Sequence, residues 1–212
     1  PDTGEIVIGS SRRGRVKHHY SVRESRYQGL HRALVKAYGD QTLSVMSRSV
    51  DGKDMILRAS SDTNPGSIFI FDTEAKRAEF FWANRSWMDP NQMRPMQIDE
   101  VISKDGFSIP VRLTLPATDE PAPLIVNPHG GPHGISDDWA FNYETQLLAS
   151  RGYAVLQVNF RGSGGFGKKF EDAGHMEWGG EMIEDLAEAA RWAMARDDTV
   201  SYTHLRAHET RS

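Results

Sequence analysis

Two patterns of hydrophobic and polar positions divide the chain. From Thr42 to Phe81 apolar residues alternate with polar ones in short runs broken by turn residues. "TLSVMSRS" and "DMILRASS" flank Val50-Asp51-Gly52-Lys53, and Gly tolerates the positive φ that a tight hairpin turn requires. "GSIFIFD" and "KRAEFFW" flank Thr73-Glu74-Ala75, which predicts a second hairpin. Upstream, Leu30, Leu34 and Ala37 recur at helical spacing, with Gly39 as a stop. From Met96 onward strands and helices alternate instead. "MQIDEVIS" and "FSIPVRLTLP" form a hairpin around Lys104-Asp105-Gly106, and "APLIVNP" is a strand apolar on both faces. "YETQLLASRG" is helical, with Leu147 and Leu148 apolar and Gly152 past its end. "YAVLQVNF" is the next buried strand. "GEMIEDLAEAARWAMAR" is a helix with Ile183, Leu186, Ala187 and Ala190 on one face.

Strand–helix alternation with strands buried on both sides implies an α/β fold, a mostly parallel sheet covered by helices. The two upstream hairpins, about 40 residues together, match one four-stranded blade of a β-propeller. One blade cannot close a ring, so further blades would lie upstream, with "GEIVIGSSRRGRVKHHYSV" as strands of the preceding one. A small two-hairpin sheet with no propeller is the alternative. "WMDPNQMRPM" carries two prolines and no periodicity and reads as the linker. The expected organisation is therefore propeller sequence over 1–94 and the α/β domain over 95–198.

Composition narrows the chemistry. The net charge of −4 gives no reason to expect a nucleic-acid partner, and "SRRGRVKHH" reads as a solvated loop or strand edge. Without cysteine there is no thiol catalysis, disulfide or thiolate metal site. Apolar runs fall far short of the ~20 residues that span a bilayer, so no membrane partner is expected. His129 and His133 stand four apart, but Gly-Gly-Pro between them excludes a regular helix and with it a metal pair.

Gly162, Gly164 and Gly167 have the spacing G-x-G-x-x-G after a strand. A dinucleotide loop must lead at once into a helix whose N-terminal amides hold the pyrophosphate. Here "KKFEDAGHMEWGG" intervenes, so the glycines are expected to shape a long loop at the carboxyl end of a sheet strand. "VNPHGGPHG" also follows a strand end. Its adjacent glycines leave backbone N–H groups sterically open, as an oxyanion-binding loop requires, although a tight Gly-Gly-Pro turn accounts for them too.

Together, "DGFSIPVRLTLP", "PLIVNPHGGPHG", "LLASRGYAVLQVNFRGSGGFGKKF" and "EWGGEMIEDLAEAARWAM" resemble the start of the catalytic domain of the prolyl oligopeptidase family of serine peptidases, in its acylaminoacyl-peptidase and dipeptidyl-peptidase-like branch. "SSDTNPGSIFIFD" resembles the last propeller blade of that branch. The resemblance implies an α/β-hydrolase domain after a β-propeller, an acyl-enzyme mechanism and short peptides as substrates, with no cofactor or metal. It implies an oxyanion donor at the N–H of Gly131, with Gly130 allowing close approach. It also implies pocket-shaping roles for His129, Pro132, Asn159, Arg161, Gly162 and Ser163. Arg161 would fix its loop by ion pairs or by hydrogen bonds to carbonyls. Trp178, Gly179 and Asp185 would mark the start of the next helix.

The departure from the family is the nucleophile. No G-x-S-x-G occurs in the chain; Ser163 sits in Arg161-Gly162-Ser163, and Ser10, Ser11 and Ser150 also fail the pattern. The elbow would follow the helix ending near Arg196 after one more loop and strand. There "SYTHLRAHET" back-translates, with permitted codons, to TCT TAT ACA CAT CTC CGA GCC CAC GAG AC, which looks like a transposase end joined to a sequencing adapter. Residues 199–212 are thus expected not to be native, and no metal role is given to His204 or His208. On this reading the chain is a piece of a serine peptidase without its triad. An esterase with the same loop, a non-catalytic interaction protein and, distantly, a dinucleotide oxidoreductase are the alternatives.

Overall fold

The computed structural model describes residues 8–11, 14–21 and 26–205. Two compact units divide between Gln92 and Met93. The division comes two residues before the expected 94/95 boundary because Arg94 is already tied into the second unit. Its N–H donates to Gln146 Oε1 (2.8 Å), its carbonyl accepts from Gln146 Nε2 (2.7 Å), and its Nε donates to the carbonyl of Leu115 (3.0 Å).

In the first unit β1 (Ile8–Ser11) and β2 (Lys17–Tyr20) form a two-stranded antiparallel sheet. Helix α1 (Arg26–Tyr38) follows, then β3 (Thr42–Arg48), β4 (Asp54–Ser60), β5 (Ser67–Asp72) and β6 (Arg77–Ala83). These four strands make an antiparallel meander in sequential order. Period-2 alternation puts Met55, Leu57 and Ala59 on one face, where Leu43, Phe71 and Leu34 of α1 complete a small core. Ile56 and Ile70, paired across β4 and β5, point to the other face and are half exposed, as is Trp82.

After a single 3₁₀ turn at Pro90–Gln92, the second unit runs through β7 (Met96–Ile102), β8 (Ser108–Thr114), β9 (Ala122–Val126), α2 (Tyr143–Ser150), β10 (Ala154–Val158), α3 (Lys168–Asp172), α4 (Glu181–Met194) and β11 (Thr199–Leu205). Strand order is β11-β9-β10-β8-β7. The hairpin partner β8 is antiparallel to β10, whereas β10, β9 and β11 are mutually parallel. Strand β11 falls in the stretch expected to be non-native; its register against β9 shifts between Val200 and His204. Residues 206–212, His208 among them, lie outside the described residues.

The two faces of this sheet differ in chemistry. Leu124, Val126, Leu156, Val158, Val111 and Leu113 pack on Met182, Leu186, Ala189 and Ala193 of α4. Successive strand residues point to opposite faces, so Gln157 looks away from α4 and accepts a hydrogen bond from Thr145 Oγ1 of α2 (3.2 Å). Arg112 is the register partner of Gln157 and shares that face, 1% exposed. Helix α2 accordingly buries Thr145, Gln146 and Ala149, while Leu147 stands 55% exposed.

Helix α4 is also turned from its expected orientation. Its buried residues are Met182, Asp185, Leu186, Ala189, Ala190 and Ala193, and Ile183 is exposed. Asp185 is the cause: a carboxylate that apolar periodicity assigns to solvent is drawn inward by an arginine.

The glycine-rich loop after β10 leads into α3 only at Gly167 and is built for backbone contact. A Cβ on Gly162, whose φ is +98°, would stand 2.6 Å from the carbonyl oxygen of Pro132; one on Gly164 would collide with the backbone of Gly134. Two hydrogen bonds close this contact, from Gly134 N–H to Gly162 O (3.1 Å) and from Gly164 N–H to Ile135 O (3.0 Å). Substituting Gly164→Ala is expected to destabilise the second unit by roughly 1–3 kcal/mol, since backbone rather than a flexible side chain must yield. A lowered urea midpoint with unchanged m-value would show it.

Candidate functional site

The carboxyl ends of β9 and β10 lie side by side, and the chain leaves them in opposite lateral directions, to β10 through α2 and to β11 through α4. Such a switch point is where α/β sheets bind ligands. Both loops predicted from the sequence to carry function emerge there.

The loop after β9 runs Asn127-Pro128-His129-Gly130-Gly131-Pro132. Gly131 has φ +83°, and a Cβ on it would stand 2.6 Å from Ile135 Cδ1. Its N–H donates to no carbonyl or side chain among the described residues. Packed against Phe160 with ring centroids 4.7 Å apart, His129 places Nε2 2.9 Å from Ser163 Oγ. Ser163 donates its hydroxyl proton to the carbonyl of Phe160 (2.6 Å), which leaves Oγ to accept from Nε2; the other ring nitrogen, Nδ1, stands 3.3 Å from the carbonyl oxygen of Gly130. Burial holds the His129 pKa below its ordinary value, and the ring is neutral at pH 7. Ser163 is fully buried and its hydroxyl is committed; it is a brace and not a nucleophile.

A second tie holds the loops from the other side. Asn159 is fully buried, accepts from the N–H of Asp137 at Oδ1 (2.7 Å) and donates from Nδ2 to the carbonyl of Asp137 (3.0 Å). Pro132 and Gly162 meet through the close backbone approach already described.

Arg161 makes the densest set of charged contacts. Its Nε and Nη2 bind Asp185 at 2.9 and 2.6 Å, its own N–H donates to Asp185 Oδ2 (2.8 Å), and Nη1 and Nη2 take Asp105 at 2.8 and 3.1 Å. The guanidinium lies over Phe107, 4.8 Å from the ring centroid. Asp105 sits in the β7–β8 turn, so one side chain joins that turn, the glycine loop and α4. Hydrogen bonds from Arg161 and Ser103 hold the Asp105 carboxyl well below the usual carboxylate range. Among the described residues the side-chain partners of Arg161 are carboxylates, and no carbonyl receives its guanidinium.

Two recesses flank the His-Gly-Gly-Pro loop. One, of about 330 Å³, is walled by His129, Gly131, Phe160, Trp178, Met182 and Ile183 and is largely apolar. The other, of about 290 Å³, lies toward α2 and is lined by Asn127, His129, Asp137, Tyr143, Glu144 and Gln157. Burial pushes the Asp137 carboxyl up to about 6, partly offset by the hydrogen bond from Gln157 and the charge of Arg112. Asp137 and the N-cap of α2, Asn142, which accepts from the N–H groups of Glu144 and Thr145, escaped the sequence reading. An Asn immediately before the helix signals the cap; nothing local signals the desolvation of the Asp137 carboxyl. Among the described residues no group of three or more His, Asp or Glu is placed to hold a metal ion, and no helix is long and apolar enough to cross a membrane.

A sequence model of the prolyl oligopeptidase family matches residues 139–208, from Trp139 before α2 through β10 and α4. The chain is 36% identical over 174 residues to dipeptidyl aminopeptidase BIII of Pseudoxanthomonas mexicana, covering 78% of this chain and 25% of that protein. This chain belongs to the prolyl oligopeptidase family. Dipeptidyl peptidase family member 6 of Caenorhabditis elegans is 29% identical over 186 residues, again covering 77% of this chain and 25% of the relative. The fold matches a puromycin-hydrolysing peptidase of Mycobacterium tuberculosis with a TM-score of 0.62 at 22% identity, over 74% of this chain and 25% of that one. The chain thus spans about a quarter of the length of each of these proteins.

Replacing Arg161 by Met leaves the fully buried Asp185 uncompensated and is expected to cost about 3–5 kcal/mol. Adding Asp185→Leu should recover much of that in chemical denaturation, because the stranded charge is then gone. Asp137 acts in the opposite sense. Its folded pKa lies above the unfolded value of 3.8, so its protonation favours the folded state, and stability falls as pH rises from about 4 to 6. Asp137→Asn is therefore expected to raise the melting temperature at pH 7.5, by at most about 3 kcal/mol in stability. The gain should vanish near pH 4 in melts across that range.

Proposed function

We propose that this chain forms part of a serine-type peptidase that hydrolyses short peptides through an acyl-enzyme, with the Gly131 N–H as one oxyanion donor. The observation that carries this is the N–H of Gly131, unpartnered among the described residues, on a loop braced by His129–Ser163 and by glycine backbone contacts, at the switch point between the parallel strands β9 and β10. A donor fixed in advance needs no reorganisation when negative charge develops on a carbonyl oxygen. Gly130 and Pro132 keep the approach narrow. Asn159, Arg161, Gly162 and Ser163 act one layer below, holding the loop rather than touching substrate.

The sheet fits the start of an α/β-hydrolase domain, and the four-stranded meander fits a propeller blade. A blade needs neighbours on both faces, and the uncovered face bearing Ile56, Ile70 and Trp82 suits another blade. Relatives named as dipeptidyl peptidases point to substrates cut near an amino terminus. The 212 residues contain no G-x-S-x-G, so on this reading the nucleophile stands outside them.

A fluorophosphonate serine probe tests the reading in both directions. The chain as it stands is expected not to label, since Ser163 is buried and hydrogen-bonded, whereas the gene product spanning the full length of its relatives should label at one serine. Labelling of Ser163 would overturn the assignment. In that longer protein Gly131→Ala, which strains a backbone held at φ +83° and so shifts the N–H off the oxyanion, is expected to lower kcat on a dipeptidyl anilide by up to about 10²–10³-fold, the cost of losing one oxyanion donor. Absence of a reactive serine in the longer protein would favour a non-catalytic interaction role, the reading that the missing nucleophile motif keeps open.

A further inference from the structure

The two-stranded sheet of β1 and β2 is not explained by the hydrolytic reading. Each strand has four residues, and a lone two-stranded sheet is marginal in water at best. Its attachments therefore decide whether it stays in place. They converge on one face of α1, at Gln28, His31 and Arg32, which steps of three and four residues bring together. Tyr20 Oη lies 3.0 Å from His31 Nδ1, and the His18 ring meets the His31 ring edge-on with centroids 4.6 Å apart. Arg32 stands over the Tyr20 ring at 4.4 Å, and Gln28 Nε2 donates to Ser21 Oγ (2.9 Å). On β1, Ser10 Oγ is 3.0 Å from His18 Nδ1. Ile8 and His31 also line a largely apolar cavity of about 330 Å³, together with Leu30, Leu34, Val45 and Met55. The hairpin is thus one wall of that cavity.

Two imidazoles in ring contact are compatible only while one of them is neutral, unless an anion lies between. The described residues from Ile8 to Arg48 hold one carboxylate, Asp40, and Arg15 pairs with it at 2.7 Å. The other charged and titratable groups around the pair are cationic or neutral. Lys17 and His19 flank His18 on β2, Tyr20 bonds His31, Arg32 and Lys36 stand on α1 with Tyr38 at its end, and Arg48 of β3 lines the same cavity. From β4 the cavity receives Met55, and Asp54 before it points to the opposite face of the sheet. Burial lowers the pKa of both rings, with His19 adding to the effect at His18 and His18 at His31. Both folded values lie below the unfolded 6.5, so the contact is fully formed above that pH and loses stability as pH falls below it.

We propose that the β1–β2 hairpin is a strap, fastened over this cavity at neutral pH by the His18–His31 contact and released in acid. Protonation sets two like charges in ring contact beside Arg32, where no described carboxylate is left to offset them. The ties that remain, Ile8 and the Gln28–Ser21 hydrogen bond, give strands of this length no core of their own. Release removes the wall formed by Ile8 and opens the apolar lining of α1 and β4 to solvent. The proposal does not depend on the chain's taking part in hydrolysis.

The test is hydrogen exchange of the full chain, read by mass spectrometry from pH 7.5 to 5.0, with β4 and β10 as internal references. Peptides covering β1 and β2 are expected to lose protection at least tenfold relative to both references, with a midpoint below pH 6.5. Emission of the neutral dye Nile red should rise over the same range as the cavity opens. His31→Gln and His18→Gln each remove one of the two charges, and each is expected to keep the hairpin protected down to pH 5.0 with no rise in dye emission. His19→Gln, whose side chain points to the other side of β2, should retain the transition. Protection of β2 that persists at pH 5.0 in the unaltered chain would overturn the strap. So would a loss shared equally by β4 and β10, or a transition undiminished in both the His18 and the His31 variants.

Discussion

The ion cluster around Arg161 is the constraint on which the second unit depends. A buried guanidinium is costly to desolvate, and it is tolerated because Asp185 and Asp105 take its N–H groups in defined directions and Glu181 stands 3.7 Å away. That geometry fixes three otherwise independent pieces: the β7–β8 turn through Asp105, the glycine loop through Arg161 itself, and α4 through Asp185. The orientation of α4 follows. To bring Asp185 to Arg161, the helix turns Met182 and Ala189 inward and leaves Ile183 to solvent, and the apolar face of the sheet accepts the small alanines that result.

With the glycine loop pinned, the loop after β9 has little freedom left. Gly162 and Gly164 let two backbones come closer than any side chain would permit, and His129 is clamped between Phe160 and Ser163. Gly131 is thereby presented with a positive φ and an unspent N–H. The G-x-G-x-x-G spacing thus has a mechanical explanation. Its first two glycines serve backbone–backbone contact with Pro132 and Gly134, and only the third precedes a helix, the five-residue α3.

Much of this was legible in the sequence, and the boundary of legibility is physical. Hairpins at Asp51-Gly52 and Asp105-Gly106 were readable because turn chemistry and period-2 alternation are local. So were the strands of 122–126 and 154–158 and the helix of 181–194. The position of the His-Gly-Gly-Pro loop was readable because adjacent glycines and a proline end a strand. What could not be read depends on residues distant in sequence. Asp105 and Arg161 are 56 positions apart, and only the folded sheet brings them together. The face of α4 was misassigned because an apolar count ignores a carboxylate whose partner is elsewhere. The polar face of α2 and the burial of Asp137 were hidden for the same reason, since Arg112 and Gln157 meet only through strand register.

That division extends to the two sides of the sheet. Toward α4 the interior is apolar and close-packed, the arrangement that stabilises a fold at least cost. Toward α2 the same strands present Arg112, Gln157 and, through the loop, Asn127 and Asp137, an arrangement in which each group costs stability unless a partner satisfies it. Simple stability would favour apolar residues at these positions. The β9 loop lies between the two environments: His129 faces the apolar recess with its ring, and Asn127 faces the polar one with its amide. Rigidity at Gly131 is therefore set from the α4 side, where Arg161 anchors the glycine loop against which the β9 loop is braced.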